Sequence, residues 1–210
     1  MNRPHLAPLA AAALGVAATG CSDVEGEDEH GHHHDHNHGV VTTVDLTFKA
    51  RSDGSEQVFT WTDPNGDGNA ESDEIALDLD EEYDVALDLW NDLEDPREHV
   101  TPEIAETAEE HQFFFIGEAV DGPATPANPD ALVAHAYGDF DENGNPLGIE
   151  NEMVAINAGS SGLTLSLRHL PPEGGNAVKT SDLAADVAAG GLDSIPGEDD
   201  ILVSFDVFVE

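Results

Sequence analysis

From Val40 to the C-terminus, apolar and polar residues alternate with period two, and this limits the possible folds more than any other feature of the chain. Val44, Leu46 and Phe48 alternate with Asp45 and Thr47; Phe59 and Trp61 with Val58 and Thr60; Ile75, Leu77 and Leu79 with Ala76 and Asp78. The run Tyr83-Asp84-Val85-Ala86-Leu87-Asp88-Leu89 repeats the pattern with one apolar and one acidic face. Successive side chains of a strand point to opposite faces, so such runs predict half-buried antiparallel strands. Further strands are expected at Leu132 to Tyr137, Val154 to Ala158, Leu163 to Leu170 and Ile201 to Val209. His111 to Ile116 is apolar on both faces and is expected to be a central strand. Thr101-Pro102-Glu103 predicts a short acidic helix, capped by Thr101 and ending near Glu110; a second small helix is expected from the cap Ser181 to Gly190-Gly191. Many short strands separated by Gly, Pro and Asn turns predict an all-β, antiparallel β-sandwich, immunoglobulin-like or jelly-roll-like, with one or two short helices.

The residues before this domain read differently. At 210 residues the chain accommodates one core, assigned to residues 40–210. Residues 1–20 resemble a secretory signal: Arg3 supplies the positive start, and Leu6 to Val16 forms an apolar stretch too short to span a bilayer. Ala18-Thr19-Gly20-Cys21 resembles the bacterial lipoprotein box, with Ala where Leu is usual. That resemblance implies that Cys21, the single cysteine, becomes a lipidated N-terminus. Ser22 after it implies sorting to the outer membrane, with lipid as the only anchor. One cysteine also excludes an intramolecular disulfide framework or a cysteine-based zinc finger. Residues 21–39 carry too few apolar groups to offset the entropy of ordering, which predicts a disordered tether.

Within that tether lie six imidazoles in nine residues, His30, His32, His33, His34, His36 and His38, interleaved with Asp35. Neutral imidazole and carboxylate suit Zn²⁺ or Cu²⁺, and a mobile segment can wrap such an ion without a preformed fold. The same composition also suits a solvated tail. The chain as a whole has 45 acidic and 6 basic residues, a formal net charge of -39. A surface this negative repels phosphates, which excludes nucleic acid and anionic headgroups as partners and leaves divalent cations as the natural ones. Solubility or a salty habitat explains the acidity equally well.

Two acidic loops carry a second metal pattern. Asp63, Asn65, Asp67, Asn69, Glu71 and Glu74 fall at the spacing with which an EF-hand loop presents oxygens to Ca²⁺. Asp139, Asp141, Asn143, Asn145 and Glu150 repeat it. The flanks look like strands, and Ala70 and Pro146 stand where an aliphatic residue is usual, so these are calcium loops on hairpins or simply Asn-Gly and Asp-Gly turns.

Four histidines lie in the predicted domain: His99, His111, His135 and His169. Three of them sit on apolar strand faces and could converge on one metal with a carboxylate such as Glu110, and His111 with His169 is the favoured pair. The motifs Glu109-Glu110-His111-Gln112-Phe113-Phe114, Asp139-x-Asp141-x-Asn143-Gly144-Asn145-Pro146-Leu147-Gly148 and Leu167-Arg168-His169 resemble a group of uncharacterised bacterial surface lipoproteins, best represented in Bacteroidetes. The resemblance covers most of Val40 to Glu210 and implies a lipid-anchored β-domain that captures a nutrient for a neighbouring TonB-dependent outer-membrane receptor.

No nucleophile elbow, phosphate-binding glycine loop or H-E-x-x-H motif is present, so an enzyme is not expected. The leading expectation is a lipid-anchored metal-binding protein of the outer membrane or cell surface that captures or buffers Zn²⁺ or Cu²⁺ through the tract. The alternative is a calcium-stabilised adhesion or carbohydrate-binding sandwich.

Overall fold

The computed structural model describes residues 40–210; the predicted signal 1–20, the lipidation residue Cys21 and the tract His30 to His38 lie outside the described residues. The described chain is an all-β sandwich of two curled sheets with two short helices. In chain order the elements are β1 (Thr43–Ala50), β2 (Glu56–Thr62), β3 (Glu71–Ser72), β4 (Ile75–Leu77), β5 (Glu82–Asn91), β6 (Glu98–His99) and α1 (Thr101–Glu106). There follow β7 (His111–Ile116), β8 (Val120–Asp121), β9 (Val133–Tyr137), β10 (Glu150–Ala155), β11 (Gly159–His169), α2 (Leu183–Gly190) and β12 (Glu198–Val209). The larger sheet runs β3-β2-β1-β5-β10-β9-β8, with β6 paired to β5; the smaller runs β4-β12-β11-β7.

Alternation sets the faces. Val44, Leu46 and Phe48 of β1 and Val85, Leu87 and Leu89 of β5 turn inward from the larger sheet. They meet Phe113, Phe115, Leu163, Leu165, Leu167, Val203, Phe205 and Val207 of the smaller one. Each fully buried side chain of this size stabilises the fold by about 1.5–3 kcal/mol. The outward face of the larger sheet is acidic, and Lys49 and Arg51 pair with carboxylates on it. Lys49 pairs with Glu56 at 3.0 Å, and Arg51 reaches Asp84, Glu82 and Glu152.

Several local expectations are corrected by contacts between elements. β7 is an edge strand, not a central one. Its outer residue Phe114 is buried because α2 covers that side: Leu183, Ala184 and Val187 form a second small core with Phe114, Ala124, Leu170 and Ile195. Thr101 does not cap α1; its hydroxyl accepts the N–H of Leu89 at 2.7 Å, so β5 takes the group that local pattern assigned to the helix. The α-helix stops at Glu106, and a 3-10 turn, Ala108–Glu110, carries the chain into β7. Ser181 does not cap α2 either, which begins at Leu183. β10 starts at Glu150, earlier than alternation indicated, because Glu150 already pairs with Ala86 of β5. Not every pairing is antiparallel: β4 with β12 and β8 with β9 are parallel. Among the described residues no helix is long and apolar enough to cross a membrane.

Candidate metal centre

The hydrophobic faces of β7 and β11 determine their register. Phe113 lies opposite Leu167 and Phe115 opposite Leu165, and a slip of one residue would turn every one of them outward. With those pairs in place, His111, the first residue of β7, stands directly across from His169, the last of β11. The imidazoles stack with centroids 4.9 Å apart and planes within 5° of parallel.

A third group arrives by a bulge. β12 pairs Ile201 with Leu167 but Asp199 with Arg168, which makes Asp200 the extra residue between them. Bulges bend a strand and re-aim side chains. Here the result is that one ligand atom from each of His111, His169 and Asp200 lies within 4.8 Å of the other two. Asp200 Oδ2 is 3.9 Å from His111 Nε2, and Glu110 Oε2 is 3.8 Å from His169 Nε2. Arg168 holds Asp199 at 3.0 Å and donates to the carbonyls of Pro196 and Ile195, so the neighbouring carboxylate is neutralised and the turn before the bulge is pinned.

The hydrogen bonds around His111 decide its tautomer. The Thr107 hydroxyl donates to the Glu103 carbonyl at 2.7 Å, so its oxygen can only accept from His111 Nδ1, 3.1 Å away. The Thr107 carbonyl accepts from the same nitrogen at 2.8 Å. The proton therefore sits on Nδ1, and Nε2 presents its lone pair toward Asp200. Asp200 Oδ2 faces His111 Nε2 across 3.9 Å, so an imidazole nitrogen and a carboxylate oxygen border the same space. Metal bonds of about 2.0–2.1 Å at tetrahedral angles would draw the two groups somewhat closer than they stand. Lone pairs lie in the ring planes, so two stacked parallel imidazoles cannot both aim at one ion. His111 is fully buried, whereas the His169 side chain is 20% exposed, so His169 is the ring that must turn to complete a site.

The other two domain histidines do not join this pair. His99 stacks on Trp90 at 4.3 Å and bonds Asp88 at 2.8 Å on the outer surface of the larger sheet. His135 packs on Phe115 and faces Asn151 Oδ1 at 3.0 Å; the Asn151 amide donates to the Gly148 carbonyl, which fixes its orientation and places the imidazole proton on Nε2. Burial drives the His135 pKa down to about 4, only partly opposed by Asn151. In the unfolded chain the same group titrates near 6.5. The unfolded state therefore binds the proton first, and the stability that comes from keeping His135 neutral is complete above pH 6.5. It is lost progressively as the pH falls through about 4. Urea midpoints measured at pH 7 and pH 5 should differ by less in His135→Gln than in the wild type; equal differences would show that this residue does not titrate on unfolding.

The acidic loops hold mostly their own backbone. In the first, the Asp63 carboxylate accepts the N–H groups of Asp67 and Gly68, and Asp67 accepts from Asn69 and Asn65. Asn65, Asp67, Asn69 and Glu71 line one cleft, whereas Glu74 lines another beside Ser204 and Asp206. In the second, Asp139 accepts from the N–H groups of Gly148 and Ile149, and Asp141 from those of Asn143 and Asn145. Asn143 donates to Glu109, and Glu150 sits in β10. The cation beside Asp141 belongs to the protein itself: Lys179 Nζ lies 3.1 Å from Asp141 Oδ2, and both side chains are buried. Burial pushes the Asp141 carboxyl up, but the Asn145 N–H and the Lys179 ammonium outweigh it and hold the group below its ordinary value. Burial likewise lowers the Lys179 pKa against the pull of Asp141. Among the described residues, His111, His169 and Asp200 are the group of histidine and carboxylate side chains that meets closely enough to hold a metal.

Sequence reasoning singled out His111, His169 and Glu110 but passed over Asp200 and Lys179. The acidic run Glu198-Asp199-Asp200, placed just before strict alternation begins at Ile201, is the one local signal that Asp200 offered. Comparison of the chain with protein-family models, curated proteins and solved structures found no match.

Proposed function

We propose that this chain is an exported, lipid-anchored protein that captures a divalent transition metal, Zn²⁺ or Cu²⁺, through a centre in its β-sandwich and through the histidine tract. The observation that carries the reading is the convergence of His111, His169 and Asp200, with Glu110 beside them. Two imidazoles and one or two carboxylates form a donor set that favours Zn²⁺ over Ca²⁺, which takes oxygen ligands. The tautomer imposed by Thr107 supports it, because ligating imidazoles characteristically donate their other N–H to a carbonyl. The Asp200 and Glu110 side chains are 29% and 24% exposed, which leaves an entry path and suits exchangeable capture. The acidic surface would raise the local cation concentration. Anchoring at the outer membrane, near a receptor that takes up the cargo, rests on Cys21 and the sequence around it.

The test is a calorimetric titration of the full-length chain with Zn²⁺, beside the same chain with its six tract histidines changed to glutamine. The tract-silenced chain should keep one site per molecule while the wild type shows additional sites. Affinity at that one site should fall by on the order of tenfold or more from pH 7.5 to 5.5, because imidazole ligates only when neutral. Loss of all binding with the tract would place the function in the tail alone.

A second reading gives calcium a structural role in the first loop, where the Gly68 N–H to Asp63 bond holds the turn and the Asn65, Asp67, Asn69 and Glu71 oxygens share a cleft. The same titration with Ca²⁺ separates the two: heat that disappears in Asp67→Ala belongs to this loop.

A further inference from the structure

Beyond their shared ladder, the segments that carry the two histidines of the centre are bridged by a buried lysine. His111 is entered from the 3-10 turn Ala108–Glu110, and His169 is left by the strap that runs from Leu170 to α2. Lys179 lies in that strap. Its ammonium donates to the Ala108 carbonyl at 2.7 Å, and the same carbonyl accepts the backbone N–H of His111. The Leu170 N–H donates to the Glu110 carbonyl at 2.7 Å, so the start of the strap is stitched to the same turn.

The Asp139 to Glu150 loop supplies the counter-charge. Asp141 Oδ2 meets the ammonium at 3.1 Å while Oδ1 accepts the Asn143 and Asn145 N–H groups. The Lys179 and Asp141 side chains are 1% and 0% exposed, so neither is held by solvent. Asn143 of the loop also donates to Glu109, the middle residue of the turn. A lysine buried in this way is strongly committed to its partners, since the alternative is an uncompensated charge in the interior.

We propose that Lys179 is a positioning residue of the His111–His169–Asp200 centre, acting as the built-in cation of the second acidic loop and clamping the turn that aims His111. The inference rests on the metal-binding reading above. It accounts for a calcium-like loop that has its positive charge supplied from within the chain, and it assigns the loop a purpose: the loop holds the ammonium, the ammonium holds Ala108, and Ala108 fixes the backbone from which Thr107 and His111 set the ligand geometry. Outer partners of this kind typically change metal affinity by on the order of 10- to 100-fold.

The experiment uses the full-length chain with the tract histidines changed to glutamine, carrying Lys179→Met or Lys179→Met with Asp141→Asn. The double variant leaves neither charge of the Lys179–Asp141 pair in the interior and keeps an oxygen for the Asn143 and Asn145 N–H groups, so it stays testable if Lys179→Met does not unfold cooperatively. Zn²⁺ affinity, the visible absorption of the Co²⁺ complex and the urea midpoint are measured together. The expected result is a double variant that regains most of the urea midpoint lost in Lys179→Met, yet binds Zn²⁺ about 10- to 100-fold more weakly than its parent and shows an altered Co²⁺ spectrum. If affinity and spectrum return to the parental values in the double variant, Lys179 is only a charge partner and the proposal is overturned while the metal centre stands. If His169→Ala in the same background leaves Zn²⁺ affinity unchanged, the centre itself is wrong and the positioning role falls with it.

Discussion

Changing His169 to alanine in the tract-silenced chain is expected to lower Zn²⁺ affinity by on the order of 100-fold or more, a loss well beyond what the accompanying drop in the urea midpoint accounts for. His169 is the informative ligand because it sits at the open end of β11 with a side chain 20% exposed, while its strand is held by the long pairing with β12 and by the Phe113 and Phe115 register with β7. Removing it gives up the stacking on His111 and takes away the ring that must turn toward the ion. His111 is a poorer probe, since its side chain is fully buried and its loss would leave a cavity as well as a missing donor. His99→Ala serves as the matched control: that ring lies on Trp90, on the opposite sheet, and its loss should leave Zn²⁺ affinity unchanged. Equal effects from the two alanine variants would remove the case for a centre at the β7 and β11 ends.

The second large effect is expected at Gly197, where a substitution should damage the fold and the centre together. Gly197 has φ of +87°, in the left-handed region, and a Cβ built there would lie 2.0 Å from the His169 carbonyl oxygen. That oxygen belongs to the β11 backbone, itself paired to β12, so neither partner can step aside without opening the pairing of His169 with Glu198. Gly197→Ala is therefore expected to destabilise by about 2–5 kcal/mol, combining the left-handed penalty with the clash. Gly54 gives the comparison. Its φ of +74° is similar, yet a Cβ there meets nothing within 4 Å, so Gly54→Ala should cost only about 1–2 kcal/mol. Urea unfolding of both variants isolates the clash, and equal losses would refute it. Because Gly197 leads into the bulge that aims Asp200, the folded fraction of Gly197→Ala should also bind Zn²⁺ more weakly than its parent.

These two variants probe what different levels of organisation contribute. Strand positions and faces were legible along the chain because alternation is a local property: Val44, Leu46 and Phe48 face the core for the reason their spacing implies, and so do Leu163, Leu165 and Leu167. The His111 and His169 pair was legible as a favoured candidate, since both lie at strand ends on apolar faces, but the ladder that pairs them was not. Expectations failed where a group had two possible partners and the choice depended on a distant segment. The Thr101 hydroxyl serves the β5 backbone and not its own helix, and Phe114 is covered by α2 although β7 lies at a sheet edge.

By itself, then, the sequence determined an acidic all-β domain whose strand faces are written in period two and whose histidines include one pair able to meet. Only the tertiary structure decided that Asp200 joins that pair and that Lys179 occupies the second acidic loop. The physical reason is the same for both: a bulge in β12 and a buried ion pair spanning 38 positions are set by the free energy of whole sheets and interior charges, which no short window of residues contains.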